Sequence, residues 1–203
     1  LLLEKENGNV IGGCLEGRES TPVLPLFCIL PPPLVIGGDG GQPDRANALP
    51  PPEEELTELT ERSLAKRFFW REENIEILLK LAPEDNGLFQ ADMTVRNHGK
   101  SIIAAIQWPS FPPVSLTAEG SGDVMMFPRY EPELIPAPGT RGLQSEVYPC
   151  GSMNWVDLSG AGQGLFAGAP DKELTLTRFV SRPTASGTHT AISLEKQDRK
   201  SVV

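Results

Sequence analysis

Tyr148-Pro-Cys-Gly-Ser-Met-Asn-Trp-Val-Asp-Leu-Ser-Gly-Ala-Gly-Gln-Gly-Leu-Phe-Ala-Gly168 is the stretch whose reading decides the fold. Two short apolar runs, Met153 to Leu158 and Leu165 to Ala167, flank a turn in which Gly160, Gly162 and Gly164 can supply positive φ. The pattern predicts a β-hairpin. A phosphate-cradling loop would need a long amphipathic helix after the glycines. Instead Ala169-Pro-Asp-Lys172 and another strand-like run follow, so the glycines are read as turn residues.

Working outward, period-two alternation recurs, the mark of strands with one buried face. Ile75, Ile77, Leu79 and Leu81 alternate with Glu76, Leu78 and Lys80, and Phe89, Ala91, Met93 and Val95 alternate with Gln90, Asp92 and Thr94. Between these runs Pro83-Glu-Asp-Asn-Gly87 carries an Asn-Gly pair, a strong hairpin signal. After a turn at Asn97-His-Gly-Lys100, Ile102, Ala104, Ile106 and Trp108 share a face, and the three runs predict a meander over 74–108. Further strands are expected at 1–6, 9–15, 24–30, 122–127, 153–158, 164–168, 173–180 and 188–195. Residues 53–66 start like a helix but carry only a thin stripe of Leu56, Leu59 and Leu64, which favours a strand. The segment 31–52, bounded by proline triplets and holding Gly37-Gly-Asp-Gly-Gly41, reads as a long loop. No repeat of about 20–50 residues is visible, which argues against a propeller or solenoid.

The fold class is therefore all-β, an antiparallel sandwich, with residues 1–195 as one domain. With 203 residues and 39% hydrophobic content, the chain can fill a core, and its 20 glycines and 20 prolines are spread as turn punctuation. A formal charge of −9 argues against nucleic-acid or anionic-membrane partners, which need clustered Lys and Arg. No apolar run reaches the roughly 18 residues of a membrane span. The start at Leu1 and the end at Lys196-Gln-Asp-Arg-Lys-Ser-Val-Val203 suggest a fragment whose tail, 196–203, is truncated or foreign. If a signal peptide is among the missing parts, the parent is secreted or periplasmic.

Cys14, Cys28 and Cys150 form an odd set without metal-ligand spacing. Buried thiols are the default, with a Cys14–Cys28 or Cys28–Cys150 bridge as the alternative. His98 sits in a turn and His189 between threonines, so neither a zinc site nor a Ser-His-Asp triad is suggested, and no motif calls for a metal or cofactor. Gly151-Ser-Met-Asn-Trp155 lacks the Gly-x-Ser-x-Gly elbow of hydrolases. Asp123, Glu131, Glu133, Asp157 and Asp171 fall near turns, but nothing in the sequence marks two of them as a facing catalytic pair.

Aromatic residues give the best pointer to a binding surface. Trp108, Phe111, Phe127, Tyr130 and Trp155 lie at strand ends or in Pro-rich connections, where ring faces can stack on a sugar while Arg129, Asn154 or Asp157 bond its hydroxyls. Trp155, Asp157, Trp108 and Tyr130 are the candidate carbohydrate-binding residues. Against this, a chain with only 6% aromatic residues needs most of its rings for the core. Trp155 and Asp157 share a strand face, so a buried Trp155 would bury a carboxylate; either the strand is bulged near Val156 or that face borders a wet cleft.

Leu3-Glu-Lys-Glu-Asn-Gly-Asn-Val10, Pro25-Leu-Phe27, Val95-Arg-Asn97, Phe127-Pro-Arg-Tyr-Glu-Pro-Glu-Leu-Ile135 and Ser152-Met-Asn-Trp-Val-Asp-Leu158 with Gly164-Leu-Phe166 together resemble the N-terminal β-domain of a family of large bacterial glycoside-hydrolase-like proteins. The chain departs from that pattern at Glu16-Gly-Arg-Glu-Ser20 and at the 31–52 loop. The resemblance implies a galactose-mutarotase-like supersandwich ahead of a (β/α)8 barrel that holds the catalytic acids. On that reading this chain is non-catalytic, and its partners are a carbohydrate and the downstream barrel. The rival classes are a free-standing mutarotase-like enzyme, which needs a His and a carboxylate in one cleft, and a structural or adhesion sandwich.

Overall fold

A computed structural model describes residues 2–6, 9–14, 34–37, 52, 54–59, 63–84, 88–169 and 176–197. The protein is all-β and antiparallel, with helix confined to two short 3-10 turns at Ala118–Gly120 and Pro138–Thr140 among those residues. The chain divides into two compact units, Leu1–Cys28 with Ile106–Val202, and Ile29–Ala105. No helix among the described residues is long and apolar enough to cross a membrane.

The first unit begins with the hairpin β1 (Leu2–Glu6) and β2 (Asn9–Cys14). Its centre is a β-sandwich. One sheet has the order β10 (Glu133–Pro136), β9 (Val124–Phe127), β12 (Trp155–Gly160), β13 (Gln163–Gly168). In the other, β11 (Gln144–Tyr148), β14 (Leu176–Pro183), β15 (Thr190–Gln197) and β8 (Ile102–Ser110) lie side by side. Alternation explains the packing: Met125, Phe127, Ile135, Val156, Leu158, Leu165 and Ala167 point inward from the first sheet and meet Phe179, Ile192 and Leu194 of the second. Each of these side chains larger than alanine contributes roughly 1.5–3 kcal/mol on burial.

The second unit holds a four-stranded sheet in the order β4 (Glu54–Leu59), β5 (Leu64–Trp70), β6 (Ile75–Pro83), β7 (Phe89–Asn97), together with β3 (Leu34–Gly37). Ile75, Ile77, Leu79 and Leu81 are buried as their period requires, and Leu64, Phe68 and Trp70 line the same side of β5. The strand reading of 53–66 is borne out by β4 and β5.

Four expectations need correction. The 74–108 meander stops at β7: β8 lies next to β15 instead, because alternation specifies which face of a strand is apolar but not which strand it pairs with. Part of the 31–52 segment is strand, since Val35 and Ile36 place two β-branched residues in a row after Leu34. Strands β10 and β11 are additions; their alternation is short and diluted by Glu133, Pro136 and Glu146. Finally, β15 runs to Gln197, past the boundary expected at 195. The 24–30 strand and the Asn86-Gly87 turn lie outside the described residues.

Candidate functional site

The β12–β13 hairpin forms as expected, but its glycines do three different jobs. Gly160 pairs with Gln163 across a two-residue turn, and the positive-φ positions are Ala161 (φ 52°) and Gly162 (φ 73°), the signature of a type I′ turn. Gly160 is needed for space: a Cβ there would stand 2.8 Å from Asp123 Oδ1 and 2.9 Å from Thr117 Cγ2. Gly164 belongs to the strand opposite Ser159 and meets only ordinary contacts.

Register then builds the outward face. Val156 and Leu158 enter the core, so Trp155, Asp157 and Ser159 point away from it on an unbulged strand. The regular register excludes the bulge at Val156. Across β13, Trp155 lies opposite Gly168, Asp157 opposite Phe166 and Ser159 opposite Gly164. Across β9, Asp157 faces Met126 and Ser159 faces Val124, and Leu134 of β10 continues the row beyond Met126.

Gly168 has no side chain, and Phe166 uses the space. Its Cε1 would lie 3.2 Å from a Cβ on Gly168, and its ring packs on Trp155 with centroids 5.6 Å apart and planes tilted by 35°. Phe166 is 50% exposed and Leu134 62% exposed, whereas Trp155 is half-buried by this contact. Asp157 leans the other way, with Oδ1 3.7 Å from where a Gly164 Cβ would be. Desolvation by these apolar neighbours raises its pKa, and a hydrogen bond with Ser159 lowers it by less.

Of the other candidates, Tyr130 is 84% exposed on the β9–β10 loop. That loop is tied to the entry of β12, since the Ser152 N–H and Oγ donate to the Arg129 carbonyl at 2.9 and 2.6 Å, so Tyr130 stands at the Trp155 end of the sheet. Trp108 does not join the face: it is buried, 7% exposed, on β8 of the other sheet, where its ring fills core. Arg129 is engaged by Glu133 and Gln144 and lies 5.8 Å above the Phe127 ring. Asn154 clips onto Ala169, donating from Nδ2 to its carbonyl at 3.2 Å while accepting its N–H.

The remaining acids divide by environment. Buried Asp123 accepts hydrogen bonds from the Leu116 N–H (3.1 Å) and Thr117 Oγ1 (2.7 Å), which organises the 115–123 loop. Glu131 and Glu133 are exposed, and Asp171 lies outside the described residues. His98 follows Asn97, whose Oδ1 accepts the Gly99 N–H at 3.0 Å, and His189 Nδ1 is 2.7 Å from Thr188 Oγ1 in an exposed loop. Cys150 is a free, exposed thiol, which removes the Cys28–Cys150 bridge; Cys28 is outside the described residues.

Phe166 and Gly168 are the site residues that sequence reasoning missed. The signal was present: Phe166 falls on the polar phase of Leu165-Phe-Ala167 in a hairpin. Comparison of the chain with family models, curated proteins and solved structures returns no match. The site's chemistry therefore carries the functional reading.

Proposed function

We propose that this protein is a non-catalytic β-sandwich module of a carbohydrate-active protein, and that it contacts sugar through the outward face of β12 and β13. One observation carries the reading: Trp155 and Phe166 pack side by side on a solvent-facing sheet, with Asp157 in the same two-strand patch. Ring faces cover the apolar C–H faces of a pyranose, and a carboxylate accepts its hydroxyl hydrogens. The resemblance to the N-terminal, galactose-mutarotase-like domain of glycoside-hydrolase-like proteins supports the same assignment. So does the arrangement of acids, because a glycosidase needs two facing carboxylates and no other described carboxylate shares the β9–β12–β13 outer face with Asp157. The apolar half of the face, Leu134 with Met126, favours in addition packing against a further domain of the parent.

The test is calorimetric titration of the protein and its Trp155→Ala variant with a panel of neutral and charged oligosaccharides, alongside thermal melts and an aryl-glycoside assay. The parent is expected to bind at least one oligosaccharide. The variant should lose that binding while its melting temperature stays within about 2–4 °C, because Trp155 lies outside the core. Absence of binding by the parent would overturn the sugar reading, and aryl-glycoside turnover would overturn its non-catalytic part.

A further inference from the structure

The patch has an electrostatic need that a neutral sugar meets only in part. Asp157 is a half-buried carboxylate whose described neighbours on the sheet face are Trp155, Ser159, Phe166, Gly164, Met126 and Val124. None of these carries a positive charge. On β12 its polar neighbour is Ser159, whose hydroxyl also reaches the Val124 carbonyl at 3.3 Å; among the described residues β13 and β9 present no titratable group on this side, and Leu134 and Pro136 of β10 add none. An anion held against apolar surface is under-solvated, and an arriving cation gains more there than in open water because the local dielectric is lower.

The shape of the patch offers a place for that cation. Gly164 puts no side chain on the β13 side of Asp157 Oδ1, and a Cβ there would meet only that oxygen and the Leu158 carbonyl, each at 3.7 Å. Phe166, the next outward residue along β13, turns its ring the other way, over Gly168 and against Trp155, so the two rings stand on the far side of the carboxylate from this gap. The protein as a whole carries −9, which favours approach of a positive ligand.

Resting on the sugar-binding reading above, we propose that the site selects a sugar bearing a free protonated amine, a hexosamine unit, over its neutral N-acetylated counterpart. The ammonium sits in the Gly164 recess against Asp157, and the pyranose face lies toward Trp155 and Phe166. Three N–H donors on one ammonium match the lone pairs of the carboxylate. N-acetylation removes the charge and replaces it with a bulkier neutral amide, so affinity falls.

The experiment titrates the full chain at about pH 6 with β-1,4-linked glucosamine oligomers and, separately, with the same oligomers N-acetylated; a Lys-rich peptide serves as a third probe. The expected result is affinity for the amine form about fivefold higher, the upper size of one partly exposed charge pair. Asp157→Asn should remove the preference while keeping the fold by circular dichroism, and filling the recess with Gly164→Val should weaken the amine form selectively. Equal affinity for both oligomers, or a preference that survives Asp157→Asn, overturns this inference and leaves the sugar reading standing. Binding of neither oligomer, nor of any other sugar, overturns both. Tighter, Asp157-dependent binding of the peptide overturns the choice of a sugar as the cation's carrier.

Discussion

Ala161 is the residue at which this chain departs from its own turn rules. It holds φ 52° in a two-residue turn whose second position is Gly162, where Asn-Gly or Gly-Gly is the usual pair. An alanine in the left-handed region costs roughly 1–2 kcal/mol. Ala161→Asn is therefore expected to stabilise the protein by about 1 kcal/mol, seen as a rise of roughly 2–4 °C in a thermal melt. A fall in melting temperature would show that the turn is of another type. Asp157 gives a second residue-scale prediction, with a sign opposite to that of most carboxylates. Its pKa is raised by desolvation, so the folded chain binds the proton more tightly than the unfolded one. Its contribution to stability is thus greatest at low pH and is lost as pH rises from about 4 through the raised value. Asp157→Asn should melt higher than the parent at pH 7, with the gap closing toward pH 4. A gap independent of pH would rule out desolvation as its cause.

At the scale of elements, the β12–β13 hairpin shows why identical residues in one motif are not interchangeable. Gly160 abuts Asp123 Oδ1, which is fixed by its bond from Thr117 Oγ1, whereas Gly164 faces open strand surface. Gly160→Ala should destabilise by about 1–3 kcal/mol, the usual cost of overpacking, because the methyl group displaces the Asp123 clamp. Gly164→Ala should be neutral or stabilising by up to about 1 kcal/mol, as the strand loses a glycine's unfolded-state entropy. Chemical denaturation of the two variants checks the contrast; equal effects would mean that the close approach at Gly160 does not hold. The hairpin itself was legible from alternation and glycine content. The division of labour among its glycines was not, since it depends on the 115–123 loop, which reaches the hairpin only in the folded chain.

For the molecule as a whole, the sandwich of the first unit closes on Leu158, Met125 and Phe127 from one sheet against Phe179, Ile192 and Leu194 from the other. Leu158→Ala should cost about 2–5 kcal/mol, while Phe166→Ala, one strand over but on the outward face, should cost far less. Urea titrations of both variants test which face is core, and comparable losses would contradict the assignment of inside and outside. The all-β class and the alternation of β6, β9 and β12 could be read from the sequence, because a period of two is a local property of side chains on an extended backbone. Lys66 marks the boundary of that legibility: it is buried, 1% exposed, at a position of β5 where alternation expects an apolar residue. Strand partners distant in the chain lay beyond reach too, as β8 next to β15 rather than β7 shows, whereas the β6–β7 and β12–β13 hairpins were legible. The fate of Trp108 lay beyond reach as well: it is taken into the core although it shares its strand-end setting with the outward-facing Trp155. By itself the sequence determined which stretches extend and which of their faces are apolar. Only the tertiary structure decided which distant strands meet and which rings stay in water, because long-range pairing and burial depend on contacts between residues far apart in the chain, where local periodicity carries no information.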